Sequence, residues 1–296
     1  MPRRLTLLAL LAVLGLTIFW VVTAPRPLPA SAMAGLSGDA GRGEAVFWAG
    51  GCASCHAAPH AKGDAVLVLG GGQRFPSPFG TFVAPNISPD PSHGIGGWSL
   101  LDLANAMTRG VSPDGRHYFP AFPYASFIHA SLQDVADLKA FLDTLPASAT
   151  PSLPHEVPFP FNIRRSLGGW KLLFLRADWV VTGDLTPTEQ RGRTLVEALG
   201  HCGECHTPRN LLGGMDRSRW LAGAPDPSGK GTVPSITPAK LRWTADEIAA
   251  YLATGFTPEF DSVGGHMARV VDNFARLPPS DRAAVAAYLK LVQAQP

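Results

Sequence analysis

The sequence predicts an all-α protein: two tandem domains of about four short helices each, with long loops, after an N-terminal transmembrane helix. Three observations predict it. The chain contains itself twice in the same order, an 18-residue apolar run lies near its start, and strand-type alternation is weak throughout. A length of 296 residues suits two domains of ordinary size. A hydrophobic share of 46% argues against disorder, while 31 glycines and 28 prolines call for many turns and therefore short helices between shaped loops. The expected segments are 1–34 for the anchor or signal and its tether, 35–147 for the first domain, 148–184 for a Pro-rich then apolar linker, and 185–296 for the second domain.

The run from Leu5 to Val22 follows Arg3 and Arg4 and is broken only by threonine and glycine. Its length is that of a membrane span and exceeds the usual signal-peptide core. An uncleaved anchor is therefore expected, with cleavage at Ala30-Ser31-Ala32 as the alternative. Arginines ahead of the span place the body outside the cytoplasm. The net charge of +2 depends on Arg3, Arg4 and Arg26; beyond them basic and acidic residues nearly balance, without a Lys/Arg run. Nucleic acid is not an expected partner.

The repeat orders the rest. "GRGEAVFWAGGCASCHAAP" parallels "QRGRTLVEALGHCGECHTP", "APNISPD" parallels "VPSITPA", and "GWSLLDLANAMTRGVSPDG" parallels "RWTADEIAAYLATGFTPEF". Each of the last two reads as a Trp, an amphipathic helix and a glycine stop, at Gly110 and Gly255. Both halves close on a helix with an aromatic-Leu pair, Phe141-Leu142 and Tyr288-Leu289. The second domain opens at Thr186, where Glu189 completes a capping box and Pro187 suits the first turn. Within the linker, "WKLLFLRADWVV" is more apolar than a connection needs, which suggests packing along both domains or docking on a partner or membrane surface.

All four cysteines fall in two C-x-x-C-H units, Cys52/Cys55/His56 and Cys202/Cys205/His206. This is the attachment signature of c-type haem: two thioethers fix the porphyrin and the adjacent histidine takes an axial iron position. Two intervening residues on one helical turn let both sulfurs reach one porphyrin edge. A shared zinc site, a redox dithiol and a tight disulfide all fit less well, because each pair is followed at once by histidine within its own repeat. Two covalently bound haem c groups are expected.

A sixth ligand is expected from the loop after the amphipathic helix. In the second half Met267 lies 61 residues after His206, flanked by glycines, with His266 as the outside alternative. Histidine and methionine together give an iron of raised potential, suited to electron transfer. Counting from Trp98 and Trp243 puts Phe122 at the position of Met267, and phenylalanine cannot bind iron. The expected substitute is His117, 61 residues after His56; an open or water-ligated iron, Met107 and His129 are the alternatives. Asn86, Trp98, Arg116 and Arg209 are candidates to line a haem edge or pair with its propionates.

On "CASCH", "CGECHTPRN", "APNISPD…GIGGWS", "GVSPDGRHYFPAFPY" and "MARVVDNFARLPPSDRAAVAAYL" the chain resembles the class I cytochrome c domain, duplicated, as in membrane-associated multihaem cytochrome subunits of bacterial periplasmic dehydrogenases. It departs from relatives with three haems in having two motifs. It also departs in reading Pro120-Ala121-Phe122-Pro123-Tyr124 where many have Pro-Ala-Met-Pro-Tyr. The resemblance implies a dihaem electron carrier on the bacterial inner membrane, haem domains in the periplasm. Its donor would be a periplasmic oxidoreductase, and its acceptor quinone, a soluble cytochrome or an oxidase. It would not be an enzyme itself, except as the cytochrome subunit of an oxidoreductase complex. The alternative is a haem enzyme, a peroxidase or sulfur-compound oxidase, using an open sixth site on the first haem.

Overall fold

The computed structural model describes residues 2–226 and 231–293; Met1, 227–230 and 294–296, which include both ends of the expected segments, lie outside the described residues. After α1 (Pro2–Val22) and a 3₁₀ turn at Ala30–Met33, the first half runs α2 (Ala40–Ala49), α3 (Cys52–His56), β1 (Arg74–Ser77), β2 (Gly80–Val83), α4 (Leu100–Arg109), α5 (Tyr124–Phe127) and α6 (Leu132–Leu142). The linker forms α7 (Ser166–Phe174). The second half runs α8 (Pro187–Arg193), a π-helical turn at Thr194–Leu199, α9 (Gly203–His206), β3 (Ala224–Pro225), β4 (Thr232–Val233), α10 (Ala245–Thr254), α11 (Gly265–Phe274) and α12 (Pro279–Leu291). The protein is helix-rich rather than purely helical, because each half adds a two-stranded antiparallel hairpin after its C-x-x-C-H helix.

The repeated Arg-Gly pair builds both domains. A Cβ at Gly43 would stand 1.9 Å from the Asp137 carbonyl oxygen, and one at Gly192 2.0 Å from that of Ala284. Only glycine lets α2 meet α6, and α8 meet α12, at that range. The arginine before each glycine then forks onto one carboxylate across the crossing: Arg42 Nε to Asp137 Oδ2 at 2.7 Å and Nη2 to Oδ1 at 2.8 Å, Arg191 Nε to Asp281 Oδ1 at 2.9 Å and Nη2 to Oδ2 at 2.7 Å. Apolar residues flanking the crossings fill the core, with Phe47, Val135, Leu195, Leu199 and Tyr288 fully buried.

Capping boxes start α4, α6, α8 and α10, at Ser99/Asp102, Ser131/Asp134, Thr186/Glu189 and Thr244/Glu247. Each is worth about 1 kcal/mol. Gly110 and Gly255 end α4 and α10 in the left-handed region, with φ of 58° and 76°. The glycine stops therefore aim both following loops alike.

The apolar side chains of α1 are exposed, Trp20 alone among them meeting a cation of the linker, and its length and composition suffice to cross a membrane. Its foot is held. Thr23 is buried; its carbonyl meets His117 Nε2 at 2.9 Å, its hydroxyl accepts from Arg165 Nε at 3.1 Å, and a Cβ at Gly168 would lie 2.2 Å from its carbonyl oxygen. Arg165 also spreads over the Trp20 ring at 4.1 Å. The linker packs along both domains: Trp170 meets Tyr124 of the first half and donates to Leu212 O of the second at 2.9 Å, while Leu172 and Leu173 stay exposed.

Candidate functional site

Each C-x-x-C-H unit forms one turn of helix, and the structure sets its histidine in the same way twice. His56 Nδ1 donates to Pro85 O at 2.8 Å and His206 Nδ1 to Pro234 O at 2.7 Å. A carbonyl can only accept, so Nδ1 carries the proton and Nε2 keeps its lone pair. The histidine backbones are tied too, His56 O accepting from Gly71 N and His206 O from Gly223 N, both at 2.7 Å. Burial lowers both imidazole pKa values, with the carbonyl hydrogen bond opposing, and keeps the rings neutral as a metal ligand requires. The prolines of "APNISPD" and "VPSITPA" mark the residues that orient the two histidines. The repeat located them; their role is visible only in three dimensions.

The four thiols are free of disulfides. Burial pushes Cys52 and Cys202 up to about 12 and Cys55 to about 11, so each pair is held as thiols rather than as a thiolate couple. Among the described residues no three His, Cys, Asp or Glu side chains converge on a metal-sized point, which leaves a shared zinc site without support. Free paired thiols beside a neutral, oriented imidazole with an open Nε2 are the donor set that a covalent haem needs.

The loops after α4 and α10 are superimposable in hydrogen bonding. Val111 bridges His117 and Phe256 bridges Ser262. Tyr118 N donates to Gly110 O at 2.8 Å, as Val263 N does to Gly255 O at 2.7 Å. Ser112 N donates to Arg116 O at 2.9 Å, as Thr257 N does to Asp261 O at 2.8 Å. Four residues past Tyr118 stands Phe122, and four past Val263 stands Met267, both half-buried against the core. Met267 lies in the first turn of α11, a helix that the first half shortens to α5; His266 beside it is exposed.

The structure differs from expectation at His117. In this register it matches Ser262, and its ring is occupied: Nε2 lies 2.9 Å from Thr23 O and Nδ1 3.1 Å from Lys171 Nζ. The equal 61-residue spacing misleads for a plain reason. Cys52 to Trp98 is five residues longer than Cys202 to Trp243, four of the five lying after the hairpin, between Pro85 and Trp98, and this offset brings His117 to Met267's distance from its motif. Met107 is buried on α4 in the core, and His129 stacks on Trp179 of the linker at 4.5 Å.

The lesser candidates have local partners. Asn86 Nδ2 donates to Ser148 O and Thr150 O, at 2.7 and 2.8 Å, and its Oδ1 accepts from Ser88 N, so it ties the turn after Pro85 to the start of the linker. Arg116 pairs with Asp114, Arg209 with Glu204, and Trp98 packs against the core.

Sequence reasoning missed the seam between the two motifs. Asn273 Nδ2 of α11 donates to Ser54 Oγ, inside the first C-x-x-C-H, at 2.8 Å; His201, just before Cys202, reaches Gly50 O with Nε2 at 3.3 Å. Ser126 Oγ donates to Glu204, inside the second motif, at 3.0 Å. The two attachment helices thus sit against one another's domains. A polar residue between the cysteines, Ser54 and Glu204, was the available signal.

A family model described as cytochrome c matches residues 40–146 and again 189–293. The chain is 61% identical over 295 residues, and 99% of both lengths, to a protein of Cereibacter sphaeroides described as "Diheme cytochrome c-type". It is 36% identical to the fructose dehydrogenase cytochrome subunit of Gluconobacter japonicus and 33% identical to the alcohol dehydrogenase (quinone) cytochrome c subunit of Gluconobacter oxydans, aligning over 91% and 86% of its own length. It spans 55% of each of those two subunits.

Proposed function

The chain belongs to the cytochrome c family and carries two covalently bound c-type haems; from that premise we propose that it relays single electrons from a periplasmic dehydrogenase-type donor to a respiratory acceptor. Cys52 and Cys55 attach the first haem, with His56 as its axial ligand, and Cys202 and Cys205 attach the second, with His206. Met267 supplies the second iron's sixth ligand. The haems provide one-electron iron couples; the residues of the chain hold, orient and partly desolvate them. The observation that carries this reading is the duplicated His Nδ1 to proline carbonyl bond, which presents Nε2 identically in both halves. Kinship with cytochrome subunits of dehydrogenases supports electron transfer. α1 anchors the protein in the inner membrane, with the haem domains on the periplasmic side; quinone, a soluble cytochrome or an oxidase takes the electrons.

The test is to reduce the purified full-length protein anaerobically and titrate both haems while a candidate dehydrogenase and acceptor are added in turn. Transfer of one electron per haem without consumption of peroxide or a sulfur substrate supports the relay. Turnover of such a substrate refutes it.

A second reading has its own observation. Phe122 stands in Met267's register and both ring nitrogens of His117 are taken. The sixth position of the first iron is then open to a small exogenous ligand, the condition for a haem enzyme. Carbon monoxide added to the reduced protein separates the cases: binding at one haem supports the open position, and no binding refutes it.

A further inference from the structure

Helix α11 carries Met267 in its first turn and then crosses to the other domain. Two residues further on, Arg269 Nη1 donates to Ser54 O at 2.6 Å and to Gln73 Oε1. Gln73 braces the same loop from its own side, its Nε2 donating to Ser54 O at 3.0 Å and to Ala57 O at 2.9 Å. One turn later Asn273 holds Ser54 Oγ. Among the described residues no ion pair involves Arg269: its guanidinium is spent on a carbonyl and an amide oxygen, both neutral. A full positive charge therefore sits beside the first haem's attachment loop, close enough to be felt at Cys55, where it opposes the effect of burial. It is partly buried, so solvent screens it incompletely.

We propose that Arg269, from the second domain, raises the reduction potential of the first haem. The oxidised iron carries one more positive charge than the reduced iron, so a fixed cation nearby disfavours the oxidised form and raises the potential. The balance is a single electron gained by Fe(III), with no bond made or broken. Arg269 is a positioning and tuning residue. It acts through the field in the seam and through Ser54, without touching iron. Because it stands two residues from Met267 on one helix, the domain contact that sets the first potential is the element that presents the second ligand. Tuning therefore requires the two domains to be docked. The inference needs only the two haems; its assignment to the first rests on Met267 serving the second.

Spectroelectrochemical titration of the full-length protein tests it with three variants. Arg269→Gln keeps a hydrogen-bonding side chain and removes the charge. One of the two midpoints should fall, changing the electron equilibrium between the haems by about tenfold, which for one electron is about 59 mV. Arg269→Lys should hold that midpoint near its original value, and Asn273→Ala, which removes the neighbouring clamp without altering charge, should leave it in place. The midpoint that falls should be the one that Met267→Ala leaves unshifted. No shift in Arg269→Gln, an equal shift of both haems, or a loss in Arg269→Lys as large as in Arg269→Gln overturns the proposal. If Met267→Ala moves neither midpoint, the ligand assignment fails instead, while the one-haem effect of Arg269→Gln still stands or falls by itself.

Discussion

The loop from Gly110 to Tyr124 and the loop from Gly255 to Met267 leave left-handed glycines and close on matching backbone hydrogen bonds, yet they deliver different side chains to the same place. The second half brings a thioether on a ten-residue helix, α11. The first brings Phe122, edge-on to Tyr118 and Phe127 at 5.9 and 5.8 Å, ahead of the four-residue α5. The surroundings differ in step. Around the first loop the foot of α1 and the linker converge, with His117 on Thr23 and Lys171 Nζ on the carbonyls of Arg109 and Gly110 at 2.6 and 2.7 Å. Around the second, nothing comparable intervenes among the described residues, and α11 reaches across to Ser54. One scaffold has been used once to present a methionine and dock on the other domain, and once to join its domain to the foot of α1. A backbone template therefore does not settle the role of a loop; the side chain at one register position and the element packed behind it do.

The comparison breaks most sharply at Met267. Met267→Ala is expected to turn one haem high-spin and lower its potential on the order of 100 mV, within the roughly 0.8 V that axial ligands span. Optical spectra and a redox titration check it, and unchanged spectra would remove Met267 as ligand. Phe122→Met runs the comparison in reverse. It should make the first haem resemble the second and abolish carbon monoxide binding there; if binding persists, the register does not carry ligation. Should the unaltered protein bind no carbon monoxide, Met107→Leu, which copies Leu252 of the second half at nearly constant volume, would expose a sulfur from α4 by freeing the site.

Where the halves are built alike, they should fail alike. Gly43→Ala and Gly192→Ala each force a methyl onto a carbonyl oxygen at 1.9 and 2.0 Å. Each should cost about 1–3 kcal/mol, outweighing the helix propensity gained. Denaturant unfolding followed at each haem checks it, and a neutral effect in one half would show that its crossing can open.

The smallest effect concerns pH. Burial, reinforced by the Arg217 charge, pushes His129 down to about 4 from an ordinary 6.5. Between those values the unfolded chain binds more protons than the folded one, so stability rises with pH across the window and is lost as pH falls from 6.5 towards 4. His129→Gln should flatten the thermal midpoint over that range; an unchanged slope would show that His129 protonates in place against Trp179.

Much of this was legible in one dimension. The twofold repeat, both C-x-x-C-H units, the glycine stops, the capping box at Thr186 and the pairing of Phe122 with Met267 are local patterns, and local patterns survive in sequence because helical turns and caps depend on near neighbours. The two hairpins were not legible, since strands as short as Ala224–Pro225 carry too few residues for alternation to be seen. Counting from His56 favoured His117 because it passed over the longer stretch between Pro85 and Trp98, and the partners that its ring nitrogens meet, Thr23 and Lys171, lie too far off in the chain to be read from that count.

The sequence by itself determined the family, the number of haems, the C-x-x-C-H motifs and the register of the loops after α4 and α10, because each rests on spacing within a few turns of chain. Only the tertiary structure decided what the shared parts do. It showed that the Arg-Gly pairs let helices touch, that Pro85 and Pro234 set the histidine tautomers, that His117 is bound at the foot of α1, and that Arg269 lies on the other domain's motif 215 residues away. The physical reason is that these are contacts between segments far apart in the chain, whose geometry is set by the packing of whole helices and leaves no periodic trace in either segment alone.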